Sequence, residues 1–420
     1  MNVRWKLAGL VSVAIAISYL DRQALPVAIK AIQQDIPVSN ERFALLNTAF
    51  LIAYGLMYAG GGKLIDLLGT KRGFLWVMVF WSLACASHGL ATSFPSLAMS
   101  RLLLGMGEGG GFPAATRAVA EWFPVAERST AMGVINTGTA VGGLIAPPLI
   151  ALVIHLTNWR SVFFLAGSLG LLWTLWWRRS YFRPEEHPSL SAGERQLIEG
   201  GRPPSAEAPV AWRTLFKYRQ TWGLMSAKFL SDAAWYFLLF WLPKYLYDVR
   251  HFDIKSVGAF AWIPYAAAGV GCLLGGWFSS WLLGRNRSVN FARKMAMGLS
   301  AAVMPFILLV SSVPTAWCIA LFALAYFGQQ SWSTIVMILP TDLFPKNAVG
   351  AVAGLIGFAG AMGGVVFGQL AGYLLDHGWG YGPVFTLAGS FHVVAFFIIL
   401  LAVPRIQPLN LTRAVNPSLA

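Results

Sequence analysis

Charged side chains are scarce in this sequence: Asp, Glu, Lys and Arg together make up 11% of its 420 residues, against roughly 25% in ordinary globular proteins. With so few, a water-facing surface cannot be built, which excludes a soluble enzyme, a nucleic-acid-binding module and a disordered chain. Acidic residues are the fewest, 17 against 31 Lys and Arg, for a formal net charge of +14. The basic residues lie in short segments between apolar runs rather than along one amphipathic face, so membrane topology explains them better than a nucleic-acid partner does. Cysteine is nearly absent as well. Cys85, Cys272 and Cys318 each sit inside an apolar run, which implies neither a disulfide framework nor a zinc cluster. No HExxH, Walker A or GxSxG element occurs. Catalysis, a metal and a cofactor are therefore not expected. Gly105, Gly107 and Gly110 satisfy GxGxxG, but no strand precedes them, and they read as glycines that let helices approach closely.

Apolar residues are abundant: A, V, I, L, M, F, W, Y and C make up 57% of the chain. A bilayer core needs about 20 apolar residues per helical crossing. Apolar stretches fall at 7–29, 43–65, 73–94, 96–120, 130–154 and 161–177 in the first half, and at 221–247, 257–283, 294–313, 315–340, 348–374 and 383–403 in the second. The expected architecture is an all-α membrane protein of twelve transmembrane helices, with bundles at 1–178 and 220–405, a linker at 179–219 and a tail at 406–420. Arg4 and Lys6 before an apolar run resemble a signal peptide, but no small-residue cleavage site follows and Asp21-Arg22 interrupts the region, so the first helix is expected to be retained. With the N-terminus inside, the cytoplasmic connections collect Lys71, Arg72, Arg128, Arg285, Arg287, Arg293, Lys294, Lys346 and the basic linker, whereas outer connections keep only Lys30, Arg42, Arg160, Arg250 and Lys255. This asymmetry predicts that both termini are cytoplasmic.

The halves repeat each other. Phe123-Pro124 precedes Gly133, Gly142 and Gly143, and Phe344-Pro345 precedes Gly354, Gly363 and Gly364 at the same spacings, with Glu121 matched by Asp342. Two parallel six-helix repeats suit an alternating-access carrier with its substrate site near the midplane, between the repeats. Pro113, Pro147 and Pro148 are expected to kink the fourth and fifth helices.

Gly62-Lys63-Leu64-Ile65-Asp66 followed by Gly69, Thr70, Lys71 and Arg72 resembles the loop signature between helices 2 and 3 of the major facilitator superfamily, with Leu67 at the place of the usual basic residue. Arg101, Gly105 and Gly109 match its RxxxGxxxG pattern. Tyr19-Leu20-Asp21-Arg22, together with Arg101 and Glu108, resembles the anion:cation symporters of that superfamily, and 240–245 and 341–345 look closest to their bacterial sugar-acid branch. The resemblance runs along essentially the whole chain. It implies a major facilitator fold in a bacterial inner membrane, a gating motif of Gly62, Asp66, Gly69, Lys71 and Arg72, and a substrate carboxylate at Arg22. Thr139 and Gly357 stand where galactonate carriers have a glutamine and an asparagine, so the hydroxyl-reading set differs.

Asp21, Arg22, Arg101 and Glu108 lie well within apolar spans, where an ion costs at least about 2.5 kcal/mol and by default faces a polar cavity or a partner. Structural salt bridges are the plainer alternative. Arg101 and Glu108, seven positions apart on one helix face, are about 10 Å from each other. Each is therefore open to meet Arg22 or Asp21 of the first helix, or a ligand. A guanidinium binds a carboxylate bidentately. Tyr19 and Tyr54, in positions that resemble those of substrate-lining tyrosines, Asn136 and Thr139, and in the second half Gln330, Trp332 and Ser333, are candidate hydroxyl partners, although aromatic packing and interhelical hydrogen bonding would also account for such residues. Asp232 and Trp235 are weaker candidates. The four charges sum to zero, so an anionic guest calls for one proton, taken up by Asp21 or Glu108 when the guest competes for an arginine. The expected function is import of a sugar acid, a hexuronate or aldonate, by proton symport in a monomeric carrier, with no nucleic-acid partner. The alternatives are a carrier or exchanger of another carboxylate, such as an aromatic acid or tartrate, and a non-transporting sugar-acid sensor.

Overall fold

The computed structural model describes residues 2–124, 127–200 and 212–409, apart from the side chains at 62, 63, 66, 129, 199, 200, 212 and 346. Arg202, Pro203 and Pro204 of the linker, and most of the expected tail, lie outside the described residues. Among those described the chain is all-α. The first half runs α1 (Val3–Asp35), α2 (Asn40–Leu68), α3 (Thr70–Ser87), α4 (Phe94–Glu108), α5 (Gly111–Trp122), α6 (Arg128–Leu156) and α7 (Trp159–Ser180). The linker contributes α8 (Ala192–Gly200) and the single turn α9 (Trp212–Leu215). The second half runs α10 (Arg219–Asp248), α11 (Ile254–Phe260), α12 (Ile263–Gly284), α13 (Val289–Ala302), a 3-10 stretch over Met304–Ser312, α14 (Thr315–Leu343), α15 (Lys346–Asp376) and α16 (Tyr381–Ala402).

Each of the twelve apolar stretches coincides with a helix or with two consecutive helical pieces. Eight of them are long and apolar enough to cross a bilayer by length and composition. The other four fall short for visible reasons. The 94–122 stretch carries Arg101 and Glu108 and breaks at Gly109-Gly110, so that Pro113 falls in the first turn of α5, where its missing N–H is harmless. Tryptophans and terminal arginines lower α7, Lys228 and Asp232 lower α10, and the polar run Gln329–Thr334 lowers α14. By contrast α6 continues through Pro147 and Pro148. Many large apolar side chains are open at the surface, among them Leu152, Leu172, Leu273, Trp317 and Phe397, as lipid-facing positions require.

By contact the chain divides into two units. The first comprises Met1–Pro204, Phe237–Tyr265 and Gly368–Gly378, and the second Ser205–Tyr236, Ala266–Phe367 and Trp379–Ala420. The first unit thus includes the C-terminal turns of α10 and α15. Gln23 donates to the Leu239 carbonyl (3.1 Å) and Tyr247 to the Val27 carbonyl (2.7 Å). At the start of α2, the Asp376 carboxylate accepts from the Asn40 and Glu41 backbone N–H groups and from the Asn40 amide. The linker also begins on this unit: Glu194 of α8 accepts from the Val3 and Arg4 backbone N–H groups and from the Arg4 guanidinium, whose other edge meets Glu127 at 2.8 Å. His187 packs edge-on against Trp122 and Phe182, and burial lowers its pKa, so the docked ring is neutral.

The second unit is built on Trp332, Val336, Leu339, Leu343, Val352 and Ile356. The internal repeat is visible in how each unit closes. In the first unit a Cβ on Gly142 of α6 would stand 2.2 Å from the Ala16 carbonyl oxygen of α1; in the second, a Cβ on Gly363 of α15 would stand 1.9 Å from the Phe229 carbonyl oxygen of α10. The same glycine of the repeat therefore permits the same backbone-to-backbone crossing twice.

Gly142→Ala and Gly363→Ala should each cost about 1–3 kcal/mol by overpacking and lower the unfolding temperature in detergent. Gly133→Ala and Gly354→Ala, where nothing lies within 4 Å of the added methyl, should leave it unchanged or raise it slightly. Equal losses at all four positions would contradict this account of the crossing.

Candidate functional site

The charges that the sequence places in lipid gather in the first unit. One turn of α1 separates Ser18 from Arg22, so both side chains leave the same face, and both reach one oxygen of Glu108 at 2.6 Å. The ion pair is sealed: the Arg22 and Glu108 side chains are 3% and 0% exposed. Of the two meetings left open for Glu108, the structure forms the one with Arg22. The other oxygen, Oε1, has no hydrogen-bond partner. The Arg22 guanidinium also stands over aromatic faces, 5.0 Å from Tyr19, 4.6 Å from Tyr54 and 5.5 Å from Phe50. Cation–π attraction of this kind reaches about 2 kcal/mol where water is excluded.

Arg101 is held differently. It is fully buried, donates from Nη2 to the Asn47 side-chain oxygen at 3.0 Å, and has no hydrogen-bond partner at Nε or Nη1. Its guanidinium lies over Phe50 (4.6 Å) and over Phe240 of α10 (5.6 Å). Aromatic faces and one amide oxygen therefore stand where a carboxylate would neutralise it. Asp21 shows the opposite pattern. Trp81 of α3 donates its indole N–H to Oδ2 at 2.8 Å, and Oδ1 has no hydrogen-bond partner.

Local sequence explains the assembly. On α2, Asn47, Phe50 and Tyr54 fall on one face, and on α4 Gly105 and Gly109 follow Arg101 at four-residue steps. A Cβ on Gly105 would stand 2.1 Å from the Phe50 carbonyl oxygen, and one on Gly109 2.6 Å from that of Tyr54. The RxxxGxxxG pattern thus presses α4 onto α2 and delivers Arg101 to Asn47 and Phe50.

The remaining candidates are distributed as follows. Tyr19, Arg22, Tyr54, Arg101, Asp21 and Glu108 come together in this cluster. Asn136 and Thr139 are half-buried on α6, where the Thr139 hydroxyl donates to the Asn136 carbonyl of its own helix. In the second unit Trp235 packs edge-on against Tyr326, and Asp232 accepts from Lys228 at 2.7 Å. Gln330 and Ser333 share a half-buried face of α14. Trp332 turns the other way, into the core, with its ring against His392 at 5.5 Å. In the gating motif, Gly69 joins α2 to α3 with φ +74, a conformation that favours glycine. Lys71 lies 3.7 Å from the Phe182 ring centroid, and Arg72 occupies the first turn of α3. Glu121 accepts from Thr70 and from Tyr181, both at 2.6 Å; burial, then that carboxylate, holds the Tyr181 hydroxyl well above its ordinary pKa and keeps it a donor. Gly62 and Asp66 lie in α2, with side chains outside those described. At the position in the second unit matched to Glu121, Asp342 accepts from Arg293 at 2.9 Å.

Sequence reasoning passed over Ser18, Asn47, Phe50, Trp81 and Phe240. Ser18 and Asn47 carried a signal, a polar residue amid apolar ones. The three aromatics carried none, since rings in membrane helices are ordinarily packing.

The sequence profile of the Major Facilitator Superfamily matches residues 11–368. A hexuronate transporter of Escherichia coli (strain K12) is 30% identical over 408 residues, covering 95% of this chain and 93% of that one. A galacturonate transporter of Dickeya chrysanthemi is 34% identical over 310 residues, covering 72% of this chain and 89% of that one. Among solved structures, a bacterial homologue of the human lysosomal transporter Spinster superposes with a TM-score of 0.75 at 17% identity, covering 96% of this chain and 97% of that one, which shows a common fold. The paired helical halves, the glycine-driven crossings and these likenesses lead to one conclusion: the chain belongs to the Major Facilitator Superfamily, and is a multi-pass membrane transporter rather than an enzyme.

Proposed function

We propose that this protein imports a sugar acid, of the hexuronate class, together with protons, by alternating access across a bacterial inner membrane through twelve helices, with both termini cytoplasmic. The hexuronate class is drawn from the similar transporters named above. Two six-helix halves, 1–178 and 220–405, joined by 179–219 and followed by the tail from 406, are the moving parts of a carrier that acts as a monomer. The observation that carries the reading is the state of the two buried arginines. Arg22 is neutralised by Glu108, while Arg101 meets one amide and two rings.

A carboxylate guest offers each what it lacks. It binds Arg22 bidentately in competition with Glu108, or it supplies the anion absent from Arg101. Either event unbalances a cluster whose four charges sum to zero. Burial in low dielectric then favours protonation of the acid deprived of its cation, so that guest and proton enter together. Tyr19 and Tyr54 flank the clamp with hydroxyls. Asn136, Thr139, Gln330, Ser333, Trp235 and Trp332 are the candidates for reading the sugar, the half-buried Gln330 and Ser333 the better placed on α14. Gly62, Asp66, Gly69, Lys71 and Arg72 serve the gate.

Radiolabelled glucuronate, galacturonate and galactonate uptake into proteoliposomes, with and without an imposed pH gradient, tests the proposal. Uptake indifferent to all three acids would overturn the substrate class, and indifference to the gradient would overturn symport. Arg22→Ala should abolish anion binding. Glu108→Gln should lose proton-driven accumulation yet keep exchange of internal for external substrate; unchanged uphill uptake would remove Glu108 from coupling. Asn47→Leu strips Arg101 of its hydrogen bond and should destabilise the protein by about 1–3 kcal/mol, read as a lowered unfolding temperature that added substrate partly restores.

A further inference from the structure

The two buried acids are held by different kinds of group. Glu108 has opposite charge built into its contact, at Arg22. Asp21 has instead a neutral donor, the Trp81 indole at 2.8 Å on Oδ2. One turn along α3 from Trp81, the Cys85 thiol is also buried, with no hydrogen bond to that carboxylate. The other groups that act on Asp21 are Arg22 of its own helix and Glu108 of α4, and Arg101 of α4 acts on Cys85. Helices α6 and α7, also packed on α1, carry no charged residue through their middle turns, and α5, packed on α1 and α3, carries Arg117 and Glu121, which meet each other.

The Trp81 ring is fully buried, with α4 and α5 packed against the residue. A Cβ at Gly107 would come within 2.4 Å of the Trp81 Cβ, and one at Gly111 would touch the ring at 3.4 Å. Gly107 belongs to the GxGxxG pattern that has no nucleotide to bind. Its place here gives that glycine a purpose, because only a residue without a side chain lets α4 lie flat against the tryptophan. An indole N–H can donate and cannot accept. A hydrogen bond donated to the charged form of an acid favours that form.

We propose that Trp81 is a positioning residue for proton coupling: its indole N–H donates to the Asp21 carboxylate and so sets how readily that acid takes its proton, with Gly107 letting α4 pack against the tryptophan. This rests on the reading of Asp21 as a proton-carrying acid. The role is distinct from packing, since Trp81→Phe keeps the ring and removes only the donor and part of the volume.

The test is the pH dependence of radiolabelled glucuronate uptake by the full-length chain in proteoliposomes. With the donor gone, Asp21 keeps its proton to higher pH, so the midpoint of the alkaline limb in Trp81→Phe should move up by about one to two pH units. The KM at acid pH should stay within about twofold of the parent. Asp21→Asn, measured in parallel, should lose the alkaline limb. An unmoved midpoint in Trp81→Phe, with Asp21→Asn flat, overturns the role of Trp81 and leaves Asp21 as the carrier; so does a uniform loss of rate at every pH. A parental limb in Asp21→Asn overturns the reading beneath it. Where Trp81→Phe does not fold, Gly107→Ala, which pushes a methyl into the tryptophan, carries the same test with the same two outcomes.

Discussion

An arginine buried among membrane helices has to be neutralised from within the protein, and the contact between Arg22 and Glu108 does this for the first unit. Breaking one partner of such a pair leaves an uncompensated charge, at a cost of about 3–5 kcal/mol, so the pair ties α1 to α4 as firmly as any apolar contact. Its position dictates much around it. Ser18 lies one turn from Arg22 because both must reach the same oxygen. Tyr19, Phe50 and Tyr54 turn their faces to the buried guanidinium. A contact this constrained is also one that a carboxylate can enter by substitution, since guest and Glu108 present the same group to the same fork.

Arg101 makes the complementary point. A fully buried guanidinium with one hydrogen bond is expensive, and proteins seldom keep such an arrangement without a use for it. Its rings, Phe50 and Phe240, lower the cost without cancelling the charge. Stability and function oppose each other here: an apolar cluster of the same shape would fold at least as well, but it would have nothing to offer an anion.

The helices reach these contacts through glycine. Gly105 and Gly109 bring α4 onto α2, Gly107 brings it onto Trp81, and Gly142 and Gly363 repeat one crossing in the two units. Between apolar helices in an apolar solvent there is no hydrophobic drive to associate, so close backbone contact and interhelical hydrogen bonds supply the adhesion. The break between α4 and α5 at Gly109-Gly110 also falls on small residues.

The scarcity of charge, the length of the apolar stretches and the recurrence of Phe-Pro and glycine at matched spacings point to a helical membrane protein of two repeats, and the resemblance carried by the 62–72 loop, RxxxGxxxG and Tyr19–Arg22 motifs points to its family. Those properties depend on the solvent and on local periodicity, which a linear pattern records. The sequence also singled out Asp21, Arg22, Arg101 and Glu108, because an ion in lipid is anomalous wherever it occurs. It left open which partner each would take. That Glu108 takes Arg22 while Arg101 takes Asn47, and that Asp21 is held by Trp81, follows from contacts between helices 54 to 86 residues apart along the chain, and no spacing rule encodes them. Helix phase likewise separated neighbours that composition treats alike, directing Trp332 to the core and Gln330 and Ser333 to the half-buried face of α14. The assignment of the last turns of α10 and α15 to the first unit was decided by tertiary structure for the same reason: chain order says which helix a residue belongs to, and only packing says which neighbours it joins.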